Sequence, residues 1–160
     1  MLHMIQQVAQ EYIDQGYQPI PLSKKGDGKV PGHTRNLKPG LNGWETTKFK
    51  ASQFFDDDNI GFNGTLSEAF DNEVDNDSKN AIYFAPKFFQ PTKTLGTQSP
   101  TGSYVANSHY FFAGKPLEYI GRSYPDGTTI AELRPNGNTV VAPSIAESKL
   151  FKKLKCKRVW

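Results

Sequence analysis

Between positions 71 and 75 the chain reads Asp71-Asn72-Glu73-Val74-Asp75, an acidic run with one apolar residue inside it. Side chains alternate between the faces of a β-strand, so Glu73 and Asp75 would share one face while Val74 lies on the other. Carboxylates two apart in this way are close enough to share a divalent metal. A histidine and a further carboxylate on neighbouring strands, offered by Ser108-His109-Tyr110 and Glu132-Leu133-Arg134, would complete a site for metal-bound phosphates. Acidic residues at alternate positions are also common on a solvated strand face, so the remainder of the sequence has to decide between the two.

A length of 160 residues fits one domain with a real core. Hydrophobic residues at 36% and aromatics at 12% suit a folded chain, while 14 Gly and 11 Pro imply many loops. A single cysteine, Cys156, excludes an intramolecular disulfide and cannot build a cysteine zinc cluster. A reducing cytoplasm is the natural compartment. No apolar stretch approaches a membrane span, and no signal-peptide pattern opens the chain.

The net charge of +3 hides an uneven distribution. Residues 17–50 carry seven basic residues, Lys24, Lys25, Lys29, Arg35, Lys38, Lys48 and Lys50, against Asp27 and Glu45. Residues 51–78 then carry eight acidic residues and no basic ones, and residues 149–160 are basic again. Basic segments around an acidic centre suit a protein that grips phosphates and holds cations in one place, although ordinary solubilising charge gives a similar count.

Met4, Ile5, Val8, Tyr12 and Ile13 recur at helical spacing, with Gly16 as a stop. A short strand is expected near 18–22, and the Gly-, Pro- and Lys-rich stretch 23–42 reads as a long loop ending near Trp44. Further strands are expected at 59–62, 69–75, 92–95, 104–112, 129–134 and 139–142, with a helix at 80–88 whose Ala81, Phe84, Ala85 and Phe88 share one side. Pro135-Asn136-Gly137-Asn138 has the composition of a hairpin turn joining the last two strands. These elements define an α+β fold on an antiparallel sheet, with residues 1–148 as the domain and 149–160 as a basic C-terminal tail.

Taken in order, Asn59-Ile60-Gly61, the acidic strand, Ala85-Pro86, Ser108-His109-Tyr110-Phe111, Glu132-Leu133-Arg134 and Val141-Ala142-Pro143-Ser144 resemble the bifunctional DNA primase/polymerase N-terminal domain of the archaeo-eukaryotic primase superfamily. The upstream Tyr17-Gln18-Pro19-Ile20-Pro21 and Gly43-Trp44 fit the same pattern, so the likeness runs from about Tyr12 to Ser144. Each motif is short, and their shared order carries the resemblance. It implies an RRM-like antiparallel sheet serving as a palm, flanked by an N-terminal α/β portion.

The resemblance also implies residue roles. Glu73, Asp75 and Glu132 would hold Mg²⁺ or Mn²⁺, with Asp71 and Glu73 as the competing register for the first pair. His109, Ser108 and Arg134 would contact the triphosphate of a nucleoside triphosphate. Lys24, Lys25, Lys29 and Arg35 would follow a single-stranded DNA template. The implied activity is template-directed nucleotide polymerisation or primer synthesis in the replication of a phage or plasmid, with any helicase supplied by another chain. This sequence departs from the pattern at Glu73, where Asp is more usual, at polar Asn72, and in the longer stretch 99–107 before the histidine. Those departures keep a rival in play, a degenerate module that binds single strands without chemistry. A metal-dependent nuclease using the same carboxylates is a third reading, ranked last because no lysine closely follows an acidic pair on a strand.

Overall fold

The computed structural model describes residues 3–37 and 40–160. Helix α1 (Met4–Asp14) and strand β1 (Pro19–Leu22) come first, then β2 (Asn59–Asn63), β3 (Asn72–Asn76) and helix α2 (Lys79–Phe88). Strands β4 (Lys93–Gln98), β5 (Tyr104–Phe112), β6 (Ile120–Ser123), β7 (Thr129–Arg134), β8 (Asn138–Val141), β9 (Ile145–Ser148) and β10 (Leu154–Val159) follow. The architecture is α+β, as expected.

Ile5, Ala9 and Tyr12 recur at spacings of four and three, so one face of α1 is apolar and buried. Gly16 closes the helix with φ +83°, a conformation that costs glycine little. Beneath α1 lies a three-stranded antiparallel sheet in the order β1-β2-β8. A second, seven-stranded sheet runs β6-β7-β3-β5-β4-β10-β9, with every pairing antiparallel.

Alternation along β3 and β5 sorts their side chains between two environments. Val74, Tyr110 and Leu133 face α2 and pack with Ala85 in a small cluster. Phe111 and Leu95 face the other way and join Ile20, Phe62 and Val141 in the main core. Each of these large side chains, fully buried, contributes about 1.5–3 kcal/mol. Glu73 shares the face of Phe111, where the two sheets meet, and this burial decides its role.

Three sequence expectations are corrected. Residues 149–160 are not an appended tail: they form a 3-10 turn (Lys149–Phe151) and β10, which sits between β4 and β9 inside the large sheet. Cys156 is buried there, and Trp160 donates through Nε1 to the Tyr12 hydroxyl at 2.8 Å. The turn at 135–138 does not close a hairpin, because β7 pairs with β3 and β6 while β8 pairs with β2. It carries the chain from one sheet to the other. On α2 only Ala85 is buried, and Phe84 and Phe88 of the expected apolar side are exposed.

The departures noted in the sequence have structural explanations. Asn72 stays in β3 because its side-chain amide donates to Lys115 O at 3.0 Å and its Oδ1 accepts from Leu117 N at 2.9 Å. Residues 104–107 extend β5, and 99–103 form a short turn in which Ser99 N donates to Ser103 O at 2.8 Å. Asn107, at φ 56°, lies where the β4–β5 register shifts, which absorbs the extra length before His109.

Candidate metal and phosphate site

The register of β3 fixes the site. Glu73 lies opposite Phe111 on β5 and Arg134 on β7, and Asp75 lies opposite His109 and Glu132. Asp77, just beyond the strand, continues the alternation and donates its backbone N–H to Ile130 O at 3.0 Å. Three same-face carboxylates therefore run from the interior to the rim.

Glu73 is the innermost, with only 3% of its surface exposed. Its Oε1 accepts from His109 Nδ1 at 2.6 Å and from Arg134 Nη2 at 3.0 Å, and its Oε2 accepts from the Thr139 hydroxyl on β8. Burial alone would raise its pKa, but Arg134, His109 and Thr139 outweigh it and hold the carboxyl down to about 2. Both oxygens are thus committed to protein donors. Since Glu73 is ionised, the His109 proton facing it resides on Nδ1, which leaves Nε2 as the remaining ring nitrogen.

Asp75 stands at the boundary. Its Oδ2 meets Arg134 Nη2 at 2.9 Å, and its Oδ1 lies 3.5 Å from His109 Nδ1. One carboxylate oxygen each from Asp75, Asp77 and Glu132 can be grouped within 4.8 Å. An octahedral Mg²⁺ with bonds of ~2.1 Å places opposed ligands about 4.2 Å apart, so slight side-chain movement would close this trio on one ion. These three residues could hold a metal. Burial and the neighbouring Asp75 charge raise the Asp77 pKa, with Lys149 acting in the opposite direction. Lys149 Nζ lies 2.6 Å from Asp77 Oδ2, and the Tyr119 hydroxyl donates to Glu132 Oε1 at 2.7 Å.

The structure therefore brings Asp75, Glu132 and His109 together as expected and leaves Glu73 out of the grouped trio. Asp77 takes its place. The sequence signal was present in Asp75-Asn76-Asp77, but Asn76-Asp77 has turn composition, which hid the continued alternation. Asp71 is not part of the group: its Oδ2 accepts from Gly114 N at 2.7 Å. Ser108 is buried, donating to Leu95 O at 3.0 Å, and Arg134 is held between Glu73 and Asp75.

The basic loop divides in the same way. Lys29 reaches a polar cleft of about 30 Å³ that it lines with Asp75, Asp77, His109, Lys149 and Arg158. Lys25 Nζ instead donates to Asn36 O at 2.6 Å, and Lys24 is exposed. Arg35 pairs with Asp57 at 3.2 Å and covers the Phe55 ring. Lys38 lies outside the described residues. Asp58 pins the loop by accepting from Thr34 N at 2.8 Å and contacting His33 Nδ1 at 2.8 Å. The chain matches no family model and no curated protein.

Proposed function

We propose that this chain is a metal-dependent nucleotidyltransferase of the primase–polymerase kind, extending or initiating a strand on single-stranded DNA from nucleoside triphosphates. The observation that carries the proposal is the convergence of Asp75, Asp77 and Glu132 beside His109 in a cleft that also contains Lys29, Lys149 and Arg158. An acidic centre with basic walls matches a ligand that brings both a divalent cation and phosphate charge.

Bound Mg²⁺ or Mn²⁺ would lower the cost of the attacking oxyanion and of the departing pyrophosphate. The chain's own residues position and neutralise. Asp75, Asp77 and Glu132 would hold the cation, Glu73 fixes the His109 ring through Nδ1, and Arg134 fixes Asp75 against β7. A 3′-hydroxyl would attack the α-phosphate in line, forming the new P–O bond as the bond to pyrophosphate breaks. The template backbone would run along the outer basic loop at Lys24 and Lys25, and any helicase would be a separate chain. The proposed setting is the cytoplasm.

One observation favours a second reading, a single-strand-binding module without chemistry. Two carboxylates of the trio already carry protein cations, Arg134 on Asp75 and Lys149 on Asp77. Incubation with single-stranded DNA, labelled nucleotides and Mg²⁺ or Mn²⁺, alongside Asp75→Ala, separates the readings. Extended product from wild type alone supports the transferase. Binding without product from either protein supports the module, shortened DNA supports a nuclease, and incorporation by folded Asp75→Ala overturns the site.

A further inference from the structure

We infer that Arg158, with Lys29 beside it, forms the oxyanion-binding subsite of the cleft, a role that the resemblance gives to His109 and Arg134. Arg158 is 6% exposed, yet it forms no ion pair among the described residues. Its Nη1 donates to Thr97 Oγ1 at 2.5 Å, while its buried Nε has no hydrogen-bond partner. A guanidinium buried with an unused donor costs free energy unless an anion completes it. Strand register sets its position: Arg158 on β10 lies opposite Thr97 on β4, and its side chain lines the cleft that also contains Asp75 and Asp77.

Two other nitrogen-bearing side chains of the large sheet already meet carboxylates. Arg134 bridges Glu73 and Asp75, and His109 directs Nδ1 to Glu73. Among the described residues Lys29 forms no ion pair, and it is placed by its backbone. Gly28 sits against β9 so closely that a Cβ there would lie 2.8 Å from Ile145 O and 3.2 Å from Asn59 Nδ2, at φ +80°. Asn59 Nδ2 donates to Gly28 O at 3.0 Å and to Ile145 O at 2.6 Å, and Glu147 N donates to Asp27 O at 2.8 Å. These ties hold the base of the Lys29 side chain against β9. Burial and the Arg158 charge lower the Lys29 pKa, with Asp27 and Asp75 acting in the opposite direction.

The ligand chemistry that fits is a phosphate or pyrophosphate group. The planar fork of Arg158 suits two oxygens, and Lys29 adds a point charge. The identification of that group with the phosphates of a nucleotide rests on the function proposed above; the oxyanion class rests on the buried guanidinium with its unused Nε donor and no ion pair among the described residues.

The full chain should be titrated calorimetrically with inorganic pyrophosphate, with and without Mn²⁺, in wild type, Arg158→Met and Lys29→Ala. Wild type is expected to bind, Arg158→Met to lose at least tenfold in affinity, and Lys29→Ala about threefold to tenfold. Mn²⁺ binding alone should be retained in both variants. Equal pyrophosphate affinity in all three proteins, or no binding by wild type, overturns the subsite. If Arg158→Met does not fold, Lys29→Ala decides: loss of affinity supports the subsite and unchanged affinity overturns it. Arginine-dependent pyrophosphate binding in a protein that incorporates no nucleotide supports the subsite while removing the transferase, so the two failures are distinct.

Discussion

The inner and outer ends of one strand face, Glu73 and the Asp75–Asp77 pair, carry the same functional group in opposite surroundings. Glu73 is enclosed between the two sheets, and its oxygens are satisfied by His109, Arg134 and Thr139. Asp77 is partly exposed, and burial together with the neighbouring Asp75 and Glu132 charges raises its pKa against the pull of Lys149. The buried charge has both oxygens taken by protein donors, whereas Asp75 and Asp77 at the rim each meet one protein cation and, with Glu132, could still hold a metal ion. Depth along the strand, rather than residue type, sets how fully each carboxylate is taken up by protein donors.

Removing the outer charge should have the largest effect on activity. Asp75→Ala is expected to cut incorporation at least about a thousand-fold (~4 kcal/mol) in a primer-extension assay, with the fold retained because Arg134 keeps Glu73. Removing the inner charge should act on stability instead. Glu73→Ala removes the close acceptor of His109 and Thr139 and leaves Arg134 with Asp75 alone, and should cost about 3–4 kcal/mol in urea unfolding. A similar loss of stability from Asp75→Ala would erase the contrast.

The same division has a pH signature. The Glu73 pKa is near 2 in the folded chain, below its usual 4.5. Its contribution is therefore fully present above pH 4.5 and lost as the pH falls toward 2. Glu73→Gln should flatten that acid limb in a pH series of unfolding midpoints. At the outer end, Mn²⁺ at 100 times its dissociation constant should stabilise wild type by about 2.7 kcal/mol. Asp77→Asn should lose most of that gain in a thermal melt, and Glu73→Gln should keep it. The smallest effect is expected outside the cleft, where Lys24→Ala or Lys25→Ala should reduce the salt slope of single-strand binding by about 0.7 if each contacts one phosphate.

Much of the fold was legible because local patterns and tertiary demands agree. The α1 stripe, β5 and β7 follow directly from their periodicity. Residues 154–159 escaped because Lys155, Lys157 and Arg158 read as solvated charge, although Cys156 and Arg158 alternate inward. The candidate site was legible at Asp75, His109 and Glu132. Asp77 was masked by turn chemistry, and the fate of Glu73 could not be read locally: Thr139, 66 positions away on another sheet, completes its neutralisation. Pairing across sheets leaves no short-range trace in a sequence.

The placement of β10 also bears on how the chain reaches this structure during synthesis. β9 touches the large sheet only through β10, and β4 has β5 on one side and β10 on the other. Until residues 154–159 leave the ribosome, Lys93–Gln98 is therefore an open edge with unpaired backbone groups, able to recruit a strand from another nascent chain. The guanidinium of the cleft arrives with the strand that covers the β4 edge, so the proposed subsite is completed in the same step that pairs this edge.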